Sequence, residues 1–183
     1  ADLYADVSST AEWWVYPAKQ SDGSIKGIVT DKPLNSPMVD GYEVTFNYVS
    51  GKATYVDVRG EFNGWNGGMN MLSENNDVFS TTMRLDAGKY LYKLYVEGED
   101  FSASNPWITD PHNSKTEGNG GNSVLVVSGF QGLHNISCLK GEAITLPTTL
   151  DYVNTSGTEY TNTTATYSLE EQSTYVSLEG NVL

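Results

Sequence analysis

The sequence predicts an all-β chain organised as a β-sandwich with a second, smaller β-domain behind it. Three observations carry that prediction. Short stretches alternate apolar and polar residues with a period of two, no stretch shows helical periodicity, and Gly, Asn or Asp turns recur at near-regular intervals between them. Twelve Tyr, four Trp and eighteen Gly in 183 residues reinforce it, since aromatic residues favour pleated surfaces and glycine favours tight turns.

In order, residues 1–40 read as an N-terminal β segment packed on the sandwich. Trp13 and Trp14 are adjacent, so a strand there points them to opposite faces and at most one joins a core. Pro17 and the Asp22-Gly23 turn are expected to end that strand, Ile25 to Thr30 to form a second, and Asp31 to Gly41 to be a connecting loop. From Gly41 the pattern becomes regular, with strands over Glu43 to Val49, Thr54 to Phe62, Val78 to Leu85, Lys89 to Glu97 and Ser123 to Val127. Two packed antiparallel sheets accommodate such strands, which defines a sandwich domain over 41–128.

Within Lys89 to Glu97, Tyr90, Tyr92, Leu94 and Val96 share one face, which sets Lys93 on the other, toward solvent beside Tyr95. Asn105 to Asn122 is a long polar connection, expected to hold Trp107 in a loop behind Pro106. Past a Ser-Gly and Gly link at 128–132 the pattern restarts, with strands expected over Asn135 to Leu139, Ala143 to Leu146, Thr164 to Leu169, Tyr175 to Leu178 and Asn181 to Leu183. Residues 129–183 thus read as an immunoglobulin-like β-module. They number about 55 where such a sandwich takes about 100, so the module is expected to be incomplete and the chain to be part of a larger protein.

Charge and composition exclude several functions. Twenty-three acidic residues against ten Lys and Arg give a net charge of −13, which repels nucleic-acid phosphates and anionic lipid surfaces. No apolar run reaches the length that spans a bilayer, and no membrane insertion is expected. Cys138 is the only cysteine, so neither an intrachain disulfide nor a thiolate metal cluster is expected, and it reads as a small buried hydrophobe. The opening Ala-Asp-Leu-Tyr and the Ser-, Thr-, Asn- and Tyr-rich composition suggest a secreted or cell-surface setting.

Catalytic residues are not marked by any motif. Glycoside hydrolysis needs two carboxylates held across a cleft, and many acidic residues guarantee accidental pairs without that geometry. His112 and His134 lack ligand spacing or a nucleophile, and no metal site or cofactor is expected. Asp110, Asn113 and Glu117 carry oxygen ligands, but not in an EF-hand arrangement.

From Val44 to Val127 the order is a strand, Gly-Glu-Phe-Asn-Gly-Trp, a strand, Gly-Lys-Tyr-Leu-Tyr-Lys-Leu-Tyr-Val-Glu-Gly, Trp-Ile-Thr-Asp-Pro, and Gly-Gly-Asn-Ser-Val-Leu-Val-Val. This order resembles the family 48 carbohydrate-binding modules, which include glycogen-binding domains of AMP-activated kinase and the domains that precede the barrel of isoamylases, pullulanases and branching enzymes. The resemblance implies an immunoglobulin-like sandwich of the early-set type. It also implies a non-catalytic partner of α-1,4/α-1,6-glucan, set in a secreted starch-degrading or starch-adhering protein and adjacent to a catalytic domain. The alternative it carries is a structural accessory domain of a pullulanase- or isoamylase-type hydrolase that touches no sugar. Its implied carbohydrate-binding residues are Trp65 and Trp107 as stacking platforms, Lys93 as a donor to sugar hydroxyls, and Asn122 as a polar contact. Where kinase-type modules carry a leucine, this chain has Gly118-Asn119-Gly120-Gly121, closer to the isoamylase and pullulanase versions.

Overall fold

A computed structural model describes residues 12–68, 72–99, 106–132, 141–169, 177–180 and 182. All regular elements among them are strands, apart from one 3-10 turn at Glu61–Asn63. The chain forms two compact units. One takes in the described residues of Ala1–Met38, Val44–Met83 and Leu91–Val124, and the other those of Val39–Glu43, Arg84–Tyr90 and Leu125–Leu183. The divisions after Met83, Tyr90 and Val124 fall inside strands that the sequence assigned whole to 41–128.

The first unit opens with a hairpin, β1 (Trp14–Lys19) against β2 (Ile25–Thr30). Pro17 does not end β1 but sits within it opposite Gly27. A two-stranded ribbon tolerates this, because each strand keeps one edge free of ladder hydrogen bonds. The hairpin turns Ala18 and Ile28 inward, while Val15 and Ile25 stay exposed. Within the expected loop 31–41, Met38–Asp40 forms a short strand, β3.

The sandwich keeps closely to the sequence pattern. Strands β4 (Glu43–Val49), β5 (Tyr55–Gly60), β6 (Ser73–Asn75), β7 (Val78–Arg84) and β8 (Gly88–Glu97) precede β9 (Trp107–Ile108), β10 (Thr116–Glu117) and β11 (Asn122–Val127). One sheet runs β3-β4-β7-β6. The other runs β10-β11-β8-β5, with β9 paired to β8. Alternation decides which side chains meet between them: Val44, Phe46, Val56, Val58, Tyr92 and Leu94 are fully buried. Phe46 packs edge-on to Tyr92 with ring centres 5.1 Å apart, joining β4 of one sheet to β8 of the other.

In the second unit, β12 (Gly129–Phe130), β13 (Thr149–Val153) and β14 (Glu159–Thr164) form an antiparallel sheet. Phe130, Tyr152 and Tyr160 line up across it at 5.2 and 6.4 Å. Tyr42 donates its hydroxyl to the Phe130 carbonyl at 2.7 Å, and Asp86 accepts the Gly132 N–H, so residues 39–43 and 84–90 are tied to this sheet. The strands expected here are corrected: Ala143 to Leu146 makes only a bridge from Thr145 to Val182, and Thr164 to Leu169 is strand only at Thr164. Segments 149–153 (Thr-Leu-Asp-Tyr-Val) and the Thr-rich 159–164 took their place, paired by a backbone ladder and cross-strand Tyr contact. Expected strands over 135–139 and 175–176, the ends of the 181–183 strand, and Cys138 lie outside the described residues.

Gly60 shows how tightly β5 and β8 approach. It has extended backbone at φ −165°, open to any residue, yet a Cβ there would lie 2.6 Å from the Leu91 carbonyl oxygen and 2.7 Å from the Tyr92 Cβ. Gly60→Ala is therefore expected to destabilise the chain by about 1–3 kcal/mol through overpacking, measured by chemical denaturation. A change below about 0.5 kcal/mol would show that the strands part without cost.

Candidate functional site

Trp65 is placed by the turn that ends β5. Asn63 is buried, and its side chain accepts the Gly60 N–H and donates to the Val58 carbonyl, each at 2.9 Å. Glu61 turns outward, and its carboxylate accepts the Leu91 N–H at 2.8 Å. Gly64 and Trp65 both take left-handed backbone, at φ 62° and 61°, and the Trp65 N–H returns to the Gly60 carbonyl at 2.9 Å. Glycine adopts that conformation freely and tryptophan rarely does, so the backbone at Trp65 is held by a closed network of backbone and Asn63 bonds.

Strand register builds the surface beside it. Arg59 lies opposite Lys93, Asp57 opposite Tyr95, and Tyr95 in turn opposite Trp107. Directly opposed residues project from the same face of a sheet, so these side chains share one face. Trp107 is on β9 rather than in a loop, which corrects the expectation drawn from Pro106: the Pro106 carbonyl accepts the Val96 N–H at 2.9 Å and draws the segment into the sheet. The indoles of Trp65 and Trp107 meet at 6.3 Å between ring centres with planes 51° apart. Both are half-buried.

Asn122 begins β11 on its outer side, opposite Glu117. Its neighbour Gly121 is tied to the same region, because Thr109 donates its hydroxyl to the Gly121 carbonyl at 2.5 Å, two residues past Trp107. The structure thus brings Trp65 and Trp107 into contact, sets Lys93 on their face, and places Asn122 in the same sheet beyond β8.

Sequence reasoning passed over four residues of this face. Tyr95 meets Trp107 edge-on at 5.5 Å, and Tyr55 meets Tyr95 edge-on at 6.2 Å. The Arg59 guanidinium lies 3.7 Å from the Tyr95 ring centre and 5.1 Å from that of Trp107. Asp57, fully buried, accepts the Arg59 Nε–H at 2.9 Å and the Gly68 N–H at 2.7 Å on one carboxylate oxygen, and its other oxygen has no partner among the described residues. The available signal was positional: Tyr55, Asp57 and Arg59 alternate along β5 and so share a face.

Beneath the Trp107 segment lies a second buried carboxylate, Asp110. One of its oxygens accepts hydroxyls from Ser36 at 2.6 Å and Tyr92 at 2.7 Å, and the other accepts the His112 N–H at 2.9 Å. Its own N–H donates to the Ser123 hydroxyl at 2.9 Å. Asn113 donates to the Tyr92 hydroxyl at 3.1 Å and to the Val124 carbonyl at 2.8 Å. This carboxylate is a structural acceptor, committed to the fold rather than open to a cation, and no cluster of three or more His, Cys, Asp or Glu among the described residues is disposed to hold one. Burial raises the Asp110 carboxyl above its ordinary range, against the hydrogen bonds and His112, and raises the Tyr92 phenol well above its own.

Residues 42–131 match the family described as the glycogen recognition site of AMP-activated protein kinase. The resemblance read from the motif order is borne out over this span: these residues are a carbohydrate-binding module of that family, and all four expected sugar-binding residues lie within it. No curated protein matches the chain.

The Asp110 shift has a signed consequence. Its folded-state value lies above its unfolded one, so the native chain keeps a proton that the unfolded chain releases. That contribution to stability is complete below the ordinary carboxylate value and is lost as pH rises through it to the folded value. Asp110→Asn cannot titrate, so the stability of the natural chain minus that of the variant is expected to fall as pH rises above the ordinary carboxylate value of about 4. Denaturant unfolding of both over this rise in pH checks it, and a difference that stays flat or grows would contradict it.

Proposed function

We infer, starting from a carbohydrate-binding module of this family at residues 42–131, that the chain binds α-glucan through the face carrying Trp65 and Trp107 and performs no catalysis itself. The observation that carries the reading is the indole pair, in contact at 6.3 Å and tilted by 51° on the outer face of a sheet. The C–H face of a glucose ring lies on an indole, and two indoles set at an angle follow the curvature of an α-1,4 chain better than a flat β-glucan. Lys93, on the same face, donates to sugar hydroxyls, and Asn122 offers both a donor and an acceptor from the start of β11.

Such a shallow site desolvates few groups, so binding is weak, on the order of a micromolar to millimolar dissociation constant. The low Lys content with abundant Ser, Thr, Asn, Gly and Tyr supports a secreted or cell-surface setting. There the module, with an immunoglobulin-like region over 129–183 behind it, would hold starch, glycogen or maltooligosaccharide near a starch-degrading catalytic domain.

Titration with maltoheptaose, followed by tryptophan fluorescence with cellohexaose as control, is expected to saturate with the first sugar only. Trp65→Ala and Trp107→Ala are each expected to lose about 1–3 kcal/mol of binding, the range of stacking on an aromatic platform. Their far-UV circular dichroism should stay unchanged. No response to maltoheptaose, or equal responses to both sugars, would replace this reading with that of a domain bracing an enzyme.

A further inference from the structure

A stacked indole binds sugar well only if its plane is fixed, and Trp107 sits on a strand of two residues. Backbone pairing to β8 fixes its Cα but not its ring. What touches the ring is Tyr95 at its edge, Trp65 at a tilt, and the Arg59 guanidinium 5.1 Å from its centre. Arg59 is itself confined. Its guanidinium lies 3.7 Å over Tyr95, its Nε is 2.9 Å from the buried Asp57 carboxylate, and its side chain is only 15% exposed.

The remaining side is closed by Gly67. A Cβ at that position would come within 2.6 Å of an Arg59 Nη and 2.8 Å of its Cζ, so only a residue without a side chain lets the guanidinium lie there. Gly67 is not in the left-handed region, so backbone conformation does not require glycine. The requirement comes from Arg59. Burying Asp57 costs desolvation that its partners must offset, and a lysine partner would supply the charge without a planar face to lay on two rings.

We propose that Arg59 is the positioning residue of the sugar platform: anchored by Asp57 and admitted by Gly67, it holds the Trp107 ring at its tilt to Trp65. The consequence for affinity rests on the α-glucan reading above, whereas the consequence for ring geometry does not. Arg59→Lys keeps the charge and loses the planar contact. Gly67→Ala keeps Arg59 and takes its space, with the displaced atoms at the flexible end of a side chain and the core untouched.

The test reads near-UV circular dichroism without sugar, using the part of the signal lost in Trp65→Phe as the signature of the indole pair, together with maltoheptaose affinity and far-UV spectra. Both variants are expected to lose that signature and to bind maltoheptaose about two- to thirty-fold more weakly, the range that a cation–π contact spans, with far-UV spectra unchanged. A signature equal to that of the natural chain in folded Arg59→Lys or Gly67→Ala overturns the proposal, as does an altered signature with unaltered affinity. If the natural chain binds no α-glucan, the functional reading falls, and the sugar-free spectra alone decide whether Arg59 sets the tilt.

Discussion

The hydrogen bonds that converge on the buried carboxylate of Asp110 are the interaction on which the face carrying Trp65 and Trp107 depends. Strands β5 and β8 are held by an ordinary ladder and an apolar core, but β9 has only two residues and a correspondingly short ladder to β8. Asp110 makes up the deficit. Its acceptance of Ser36, Tyr92 and His112, with the Ser123 hydroxyl on its N–H, ties the segment after Trp107 to β8, to β11 and to the chain ahead of β4. A buried carboxylate costs several kcal/mol unless its oxygens are satisfied, and here both oxygens are. The arrangement is strong only when complete, so a segment that is sequentially irregular becomes spatially single-valued.

Asp57 solves a different problem on the other side of the same sheet. An outward position on β5 would ordinarily be wet, yet this carboxylate has no exposure, because Arg59, Tyr55 and the Gly68 N–H close over it. Register sets Arg59 directly against Lys93, and like charges so placed repel. Pairing Arg59 with Asp57 offsets that repulsion. It also distinguishes two neighbouring cations: Arg59 is engaged with Asp57 and the Tyr95 ring, whereas Lys93 has no ion-pair partner among the described residues.

How much of this was legible depends on the demand each residue answers. Gly-Glu-Phe-Asn-Gly-Trp could be read because every member answers a local backbone demand: close approach at Gly60, an N–H to accept at Glu61, a turn bridged by Asn63, left-handed backbone at Gly64. The sandwich strands were equally visible, since burial on one face writes a period of two into hydropathy. Trp107 was read as a loop residue because β9 is too short to show any period and is recruited by β8 from outside. Strands β13 and β14 were missed for a related reason: β13 is only five residues long, β14 is polar at most positions, and their pairing rests on backbone bonds and Tyr contacts. Arg59 and Asp57 were overlooked because alternation marks a polar residue as outward, and outward is normally taken as solvated.

That oversight has a physical root. Hydropathy reports whether a side chain prefers water, whereas a binding face is built from side chains that could be solvated and are instead engaged with one another. Trp65, Tyr95, Trp107, Arg59 and Asp57 form such a layer above the sheet, packed but outside the sandwich core. The layer is packed without being core, with Asp57 fully buried and the other four half-buried. It reduces the ordering that a ligand would otherwise have to impose, and for a shallow site with few desolvated groups that reduction is the main route to usable affinity. Pre-fixed rings raise affinity without deepening the site, which is what the proposed binding of a long, mobile glucan at this face requires.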